Sequence, residues 1–449
     1  MSGSLPLEGL RVLEFSHTIM GPCAGLLLAD MGADVVKVEP APDGDRTRQL
    51  PGFAAGFFAM FNRNKRSIAL DLKHPEGRAV LHRLVADADI VLENYGPGTM
   101  ERLGCGWEDL RPLNPRLIYL ALKGFLSGPY GDRPALDEVV QFQTGLAYMT
   151  GPPGQPLRAG ASIIDILGAV FGVTGVLAAL RERDRMGQGQ RVGSALFESS
   201  AFLMGSHMAG GAAVGEPPPP MPARRGAWGI YDVFKARCGT QLFIGVTSDA
   251  QWQRFCKQFG FPDMAADARL ATNAQRARER SWLLPDLQER IATLDFDAIT
   301  RGCATAEVSW SPVGRPDDLL RDPHLMASGG LLSTAIAAMG GGPEVPLPAL
   351  PLEFGEERSR APLRRQPPKI GEHTLEILLA SGMTHGAIEA LREAGVLTVT
   401  TGLAQMQCPS SNALRRWRRL ANGGSGSSGL EVTRPAAGAA SGVVGGFGA

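Results

Sequence analysis

The sequence predicts an α/β protein whose large domain is a doubly wound, largely parallel, Rossmann-like sheet. From Arg11 to Leu122, short apolar segments of strand length alternate with helix-like segments. Gly32 follows the first helix-like segment, at the position where a glycine commonly ends a helix. Strands that alternate with helices favour a parallel sheet, and such sheets bind ligands at the carboxyl ends of their strands.

The elements of this domain follow in order along the chain. The predicted strands are Arg11–Phe15, Asp34–Glu39, Ser67–Leu70, Ile90–Glu93 and Leu117–Leu122. The predicted helices are Ala24–Met31, Glu76–Ala86, Thr99–Leu110 and a long apolar helix over Ser162–Leu180. We assign residues 1–215 to this large domain, because a proline run at Pro217–Pro222 then interrupts the pattern.

A smaller α+β domain is predicted over residues 225–315. Its elements would be a hairpin of Tyr231–Ala236 with Gln241–Val246 and helices over Ala250–Phe259 and Asn273–Leu294. Residues 325–397, with a helix at Thr374–Gly382, are predicted to return to the large domain. Residues 398–449 are rich in Gly, Ser and Ala and are predicted to form a disordered tail.

Composition narrows the possible partners and the compartment. Lys plus Arg and Asp plus Glu number 45 each, so no overall charge favours nucleic acid or a membrane surface as partner. Six cysteines are scattered without the close pairs of zinc or redox sites, and the start of the chain lacks a signal-peptide pattern. We therefore expect a cytoplasmic protein with reduced thiols and no metal site.

Asp165 is the most unusual residue for its surroundings. It lies in a stretch over residues 161–180 that is otherwise apolar and nearly long enough to span a bilayer. Gly168, Gly172 and Gly175 suit close helix packing inside a soluble core instead. Because burying an acid is costly, Asp165 is a candidate catalytic group, a helix cap or the partner of a buried arginine.

An ordered set of motifs resembles the class III coenzyme A transferases, the CaiB/BaiF-type family of formyl-CoA transferase and carnitine CoA-transferase. The resemblance covers about residues 5–397. The matching segments are Leu7–Leu13, Gly21–Pro22, Met31–Glu39, Gly44–Asp45 with Arg48, Asn64–Ile68, Glu93–Gly98, Asn114–Ile118, Lys123–Phe125, the Asp165 helix ending in Ala178–Arg183, Gly187–Gln190, Pro367–His373 and Leu391–Leu397.

The resemblance implies a CoA-transferase in which Asp165 attacks an acyl-CoA donor and forms an aspartyl anhydride. It also implies CoA contacts at Leu70, Lys73, Asn94, Tyr95 and Arg102, although Lys73 and Arg102 fit solvated helix-end charges equally well. Coenzyme A and acyl-CoA would be substrates, with no permanently bound cofactor, and two copies would form an interlocked homodimer. Backbone amides would supply the oxyanion donors, some of them from a glycine-rich loop. The sequence does not place that loop, because Gly340–Gly342 fits a hairpin turn better and Gly210–Gly211 is no stronger a candidate.

Departures from the family pattern bear on the substrate. Ile19, Pro40 and Leu136 stand where formyl-CoA transferase has a glutamine, an arginine and a tyrosine. With Ile19 and Leu136 in the acyl pocket, oxalate would lack hydrogen-bond donors, so we expect a larger and less polar acid. An acyl-CoA racemase of the same superfamily is an alternative, but its second base, a histidine, would fall on Leu136. A non-catalytic CoA-binding protein is a further alternative, against which the intact Asp165 argues.

Overall fold

The computed structural model describes residues 5–223, 226–336 and 342–400. Most of the predicted tail, residues 401–449, therefore lies outside the described residues. The strands are β1 (Arg11–Phe15), β2 (Asp34–Pro40), β3 (Arg66–Leu70), β4 (Ile90–Glu93), β5 (Ile118–Lys123), β6 (Arg191–Ala195), β7 (Ile230–Lys235), β8 (Gln241–Val246), β9 (Ser309–Pro312), β10 (Leu331–Ala335), β11 (Glu344–Pro348) and β12 (Leu397–Thr398).

The helices lie between these strands. They are α1 (Met20–Asp30), α2 (Phe57–Asn62), α3 (Pro75–Val85), α4 (Thr99–Arg102), α5 (Trp107–Leu110), α6 (Asp137–Gln143), α7 (Leu146–Thr150), α8 (Ile163–Met186), α9 (Leu196–Val214), α10 (Asp249–Phe259), α11 (Pro262–Ala266), α12 (Asn273–Arg278), α13 (Arg280–Ile291), α14 (Phe296–Thr305), α15 (Pro323–Ala327), α16 (Thr374–Ala380) and α17 (His385–Glu393).

The main sheet has the strand order β12-β3-β2-β1-β4-β5-β6. All neighbouring strands in it are parallel except β12, which pairs antiparallel with β3. The order 3-2-1-4-5-6 is that of a doubly wound sheet, and it reverses direction between β1 and β4. The predicted doubly wound, largely parallel sheet is thus confirmed.

Helices cover both faces of this sheet. On one face, α1 and α8 pack against side chains such as Val12, Leu92 and Leu120. On the other face, α3, α16 and α17 pack against Leu13, Val91 and their neighbours. The strands β1 to β5 carry apolar residues in consecutive positions, as parallel strands with two buried faces do.

The long apolar helix α8 is part of this core. By length and composition it would suffice to cross a membrane, which is also true of core helices in soluble proteins. Its residues Ala169, Val173 and Val176 are buried in the cluster that it shares with α1. The prediction that its glycines serve close packing fits Gly172, where an added Cβ would lie 2.8 Å from Leu122.

Two predicted helices are interrupted. The segment predicted as one helix over Thr99–Leu110 is α4 and α5, because Gly104 takes a left-handed conformation (φ +66°) that ends the first. The segment predicted over Asn273–Leu294 is α12 and α13, with Glu279 between them in a conformation outside the helical range.

A second apolar cluster lies in the middle of the chain. The antiparallel strands β7, β8 and β9 form a separate sheet. Its first two strands, β7 and β8, form the predicted hairpin. This sheet packs on α10, α13 and α14 through residues that include Phe234, Trp252 and Leu287. The boundaries at 225 and 315 remain a prediction, as do those of the returning segment.

Candidate active site

The loops that follow β1 and β4 meet where the strand order reverses. The side chain of Asn94, just after β4, holds the backbone of His17, just after β1. Its Oδ1 accepts from the His17 amide at 3.0 Å, and its Nδ2 donates to the His17 carbonyl at 2.9 Å. The Tyr95 ring stacks on the His17 ring with 5.6 Å between centroids. A crevice at this place is the usual ligand site of doubly wound sheets.

Gly21 allows the start of α1 to approach these loops. A Cβ at Gly21 would lie 2.5 Å from the Cβ of Ser16 and 2.8 Å from Cγ of Asn94. Any larger residue would therefore push α1 away from the place where the strand order reverses, which we call the switch point. This explains in physical terms why the Gly21–Pro22 motif opens the helix.

Buried charged side chains stabilise the same loops. Lys37 Nζ lies 3.0 Å from Asp45 Oδ2 and 3.3 Å from Glu14 Oε1, and all three side chains are buried. Asp45 Oδ1 in turn accepts from Thr47, whose Oγ1 accepts from the Thr18 amide at 2.7 Å. These motif residues therefore position the β1 loop.

His17 is a poor candidate for a charged group. Burial lowers its pKa, and the nearby Asp45 only partly opposes that effect. A neutral ring stacked on Tyr95 offers a flat surface, which suits a structural or ligand-contacting role.

The five residues predicted to contact CoA lie along the carboxyl edge of the sheet. Leu70 ends β3, and its side chain is buried in the core. Lys73 is exposed in the turn between β3 and α3. Arg102 is exposed on α4 and donates from Nη2 to Thr99 Oγ1 at 2.8 Å. Asn94 and Tyr95 form the switch-point loop described above. Their roles as CoA contacts remain predictions.

Asp165 lies in the first turn of α8, and another residue caps that helix. Ser162 precedes the helix but makes no side-chain cap. Instead, Oδ2 of the buried Asp137 accepts from the amides of Ile164 at 2.7 Å and Asp165 at 2.9 Å. Asp137 thus satisfies two of the free amides at the start of α8 and fixes the backbone of Asp165.

Asp137 is itself held in place. Nε2 of the buried Gln141 donates to its Oδ1, while Gln141 Oε1 accepts from the Ala159 amide at 2.9 Å. Both side chains belong to α6, four residues apart and therefore on one face. The loop before α8, the helix α6 and the start of α8 form one hydrogen-bonded unit.

The carboxylate of Asp165 differs from that of Asp137. Within residues 5–223, 226–336 and 342–400, the structure gives it neither a hydrogen-bond donor nor a cation. In this part of the chain, Asp165 is therefore neither the cap of α8 nor the partner of a buried arginine. Burial, with the negative charges of Asp137 and Glu138 adding to it, raises the pKa of Asp165 to about 7.

The first turn of α1 borders the same region. Burial raises the pKa of the Cys23 thiol to about 12, with opposing effects from Lys65 and Asp165. Cys23 is therefore a neutral thiol near Asp165 rather than a competing nucleophile.

The two residues predicted to line the acyl pocket differ in exposure. Ile19, which precedes α1, is buried in the core cluster. Leu136, which precedes Asp137, is 66% exposed. Their assignment to an acyl pocket remains a prediction.

Sequence reasoning missed Asp137 and Gln141. Their spacing of four residues was a visible signal, since it places two polar side chains on one face of a helix, where they can share a hydrogen bond. Of the candidate oxyanion glycines, Gly210 and Gly211 lie inside α9, while Gly340 and Gly341 lie outside the described residues.

The structure is that of a doubly wound α/β protein with a half-buried carboxylate of raised pKa, Asp165, at the start of α8. The chain belongs to CoA-transferase family III, whose family model matches residues 7–374. It is therefore an enzyme of the CoA-transferase class, and the substrates of such enzymes are CoA thioesters.

Curated relatives and a solved structure agree with this family. The chain is 34% identical to the succinate–glutarate CoA-transferase of Agrobacterium fabrum over 83% of this chain and 95% of the relative. It is 33% identical to the succinyl-CoA:mesaconate CoA-transferase of Haloarcula hispanica over 85% and 97%. It also resembles the crystal structure of a CAIB/BAIF family protein from Brucella suis, with TM-score 0.74 and 32% identity over 84% of this chain and all of the other.

Proposed function

We propose that this enzyme moves CoA from an acyl-CoA to a free carboxylic acid, with Asp165 as the covalent nucleophile. One observation supports this best: Asp165 is a half-buried carboxylate with a raised pKa, held by its backbone while its oxygens lack a partner in the described chain. A carboxylate that only stabilised the fold would be paired or solvated.

The steps balance without a further reactant. A carboxylate oxygen of Asp165 attacks the thioester carbon, the C–S bond breaks, and CoA leaves as a thiolate. The thiolate then attacks the aspartyl carbonyl of the anhydride, which releases the donor acid and leaves an aspartyl-CoA thioester. The acceptor carboxylate attacks that thioester, which breaks the C–S bond, releases CoA as a thiolate and forms a second anhydride. The thiolate then attacks the acceptor's acyl carbon, which forms the new acyl-CoA and releases the Asp165 carboxylate.

The switch-point crevice is the proposed CoA site. Coenzyme A carries several phosphate charges and an adenine, so it needs cations and a flat surface. Lys73 and Arg102 are exposed cations at this edge, and the stacked rings of His17 and Tyr95 provide the flat surface. Backbone groups at Leu70 and the loop of Asn94 complete the proposed contacts.

The alternatives have less support. A racemase would need a second base opposite Asp165, and Leu136 cannot accept a proton. A non-catalytic CoA-binding protein would have no use for an unpaired acid of raised pKa. Assaying the purified protein with acyl-CoA, with and without an acceptor acid, separates the three: acceptor-dependent CoA transfer supports the proposal, and epimerisation or binding alone contradicts it.

Acceptor preference tests the predicted pocket. We expect four- or five-carbon acids to exceed oxalate by at least about tenfold in kcat/KM, because each unmet polar group costs about 1–3 kcal/mol. The measurement crosses a panel of acyl-CoA donors with oxalate, succinate and glutarate and identifies the products by mass spectrometry. A preference for oxalate would show that Ile19 and Leu136 do not line the acyl pocket.

We further propose that the enzyme is a homodimer of interlocked chains. Helices α8 and α9 carry exposed apolar side chains, among them Val170, Leu177, Phe202 (74% exposed) and Met208 (68% exposed). A surface of this kind on a soluble chain usually marks an interface. Light scattering on the purified protein should give twice the chain mass of 47.6 kDa. A monomer at micromolar concentration would contradict the proposal.

A further inference from the structure

Arg158 lies in the loop between α7 and α8, and the backbone is hydrogen-bonded on both sides of it. The amide of Leu157 donates to the Ala147 carbonyl at 3.0 Å. The amide of Ala159 donates to Gln141 Oε1 at 2.9 Å. The loop therefore presents Arg158 from a fixed position next to the unit that holds Asp165.

The guanidinium of Arg158 uses only one of its edges. Nη1 lies 3.3 Å from Glu138 Oε1 and donates to the Ala159 carbonyl at 3.4 Å. Within the described ranges, Nε and Nη2 have no partner, and the side chain is 39% exposed. The Nε–Nη2 edge is one of the two edges by which an arginine binds a carboxylate with parallel hydrogen bonds.

The position of Glu138 connects this edge to the reaction site. Glu138 follows Asp137, whose Oδ2 is 2.9 Å from the Asp165 amide. Its charge also reaches the Asp165 carboxyl, since it contributes to the raised pKa of that group. The carboxylates of Asp137, Glu138 and Asp165 thus lie around the place where the acceptor acid must react. They repel an approaching carboxylate unless a nearby cation binds it.

We propose that Arg158 is a specificity-determining residue, which binds the distal carboxylate of a dicarboxylic acyl group while the other carboxylate reacts at Asp165. Glu138 holds the guanidinium through Nη1 and leaves the Nε–Nη2 edge free for the substrate. A monocarboxylic acid of equal length reaches Asp165 but makes no such contact. This inference rests on the proposed CoA transfer and names its substrate class.

The test compares acids that differ only in the second carboxylate. The pairs are succinate with butyrate and glutarate with valerate, each as acceptor with the best acyl-CoA donor of the wild type. In a ping-pong reaction, kcat/KM for the acceptor reports the second half-reaction alone, so its value does not depend on the choice of donor. We expect Arg158→Gln to lower kcat/KM for the diacids by about tenfold or more, as the loss of a charge-assisted pair predicts.

Controls separate this role from a structural one. For the monoacids, Arg158→Gln should stay within about twofold of the wild type, the size expected of independent sites. For the diacids, kcat/KM of Arg158→Lys should lie between the values of the wild type and Arg158→Gln, because an ammonium keeps the charge but lacks the planar fork. The matched control is Arg111→Gln, since Arg111 is also an exposed arginine with a glutamate partner, Glu108 at 2.7 Å, but directly follows α5. It should leave both acid classes unchanged.

Two results would overturn the inference. One is an equal loss for diacids and monoacids in Arg158→Gln, and the other is no loss for either. If that variant does not fold, Arg158→Lys serves instead: it keeps the cation but lacks the planar fork, so the ratio of diacid to monoacid kcat/KM should fall below that of the wild type, and an unchanged ratio would contradict the inference. A wild type without acceptor-dependent CoA transfer from any donor would overturn the proposed function itself.

Discussion

Replacing Asp165 with alanine or asparagine is expected to abolish CoA transfer while the protein still folds. Alanine removes the nucleophile, and the amide of asparagine is a poor nucleophile at a carbonyl carbon. Loss of a covalent nucleophile lowers kcat by several orders of magnitude, about 10³-fold or more. The measurement is the rate of new acyl-CoA formation by purified variants under conditions where the wild type is saturated.

A matched control lies on the same helix. Asp184 is an exposed aspartate on α8, and Asp184→Asn should leave the rate unchanged. Trapping gives a second readout: the wild type incubated with acyl-CoA and hydroxylamine should be modified at Asp165, and the asparagine variant should not. Turnover near the wild-type rate in either Asp165 variant would remove this residue from the mechanism.

The stability of these variants follows from the same pKa. The folded pKa of Asp165, about 7, lies above the value of about 3.9 usual for an unfolded aspartate. The neutral acid therefore contributes stability below the unfolded pKa, and this contribution is lost as the pH rises through 7. Above that pH, asparagine removes the cost of holding a charge in this site, so Asp165→Asn should melt at a temperature equal to or higher than the wild type.

The sheet was predictable because its signals are local. The strand Arg11–Phe15 has the predicted bounds, since a short segment with Val12, Leu13 and Phe15 and a following turn defines a buried strand within a short window. The break between α4 and α5 was harder, because Gly104 decides it only by adopting a left-handed conformation. The sequence alone does not distinguish such a glycine from one that lies inside a helix.

The site was predictable only in part because its contacts are long-range. Asp165 could be singled out from its apolar neighbours alone. The capping residue Asp137 lies 28 positions earlier, and no local pattern connects it with the start of α8. Burial of Ile19 and exposure of Leu136 also depend on packing between distant elements, so the sequence could name both residues but not their different surroundings.

Asp137 is expected to control both the position and the ionisation of Asp165. In Asp137→Ala, the amides of Ile164 and Asp165 and Nε2 of Gln141 lose their acceptor, so the start of α8 loosens. Displacement of a reacting group by about 1 Å can cost about 10²-fold in rate, and we expect a loss of that order in kcat/KM. The circular dichroism spectrum should change little, because the rest of α8 stays packed on α1 and β5.

Asp137→Asn tests the electrostatic part of that role, because it keeps an oxygen for the two amides but removes the charge. Removing a nearby anion favours the ionised form of Asp165, so its pKa should fall. In the wild type, kcat/KM should rise with pH and level off above about 7, where the nucleophile is ionised. The rise should occur at lower pH in Asp137→Asn and also in Glu138→Gln, which leaves the cap untouched. If the pH profile stayed in place in both variants, the acids around Asp165 would not set its ionisation. A shift in both, with a large loss of rate only in Asp137→Ala, would separate the charge of Asp137 from its hydrogen bonds.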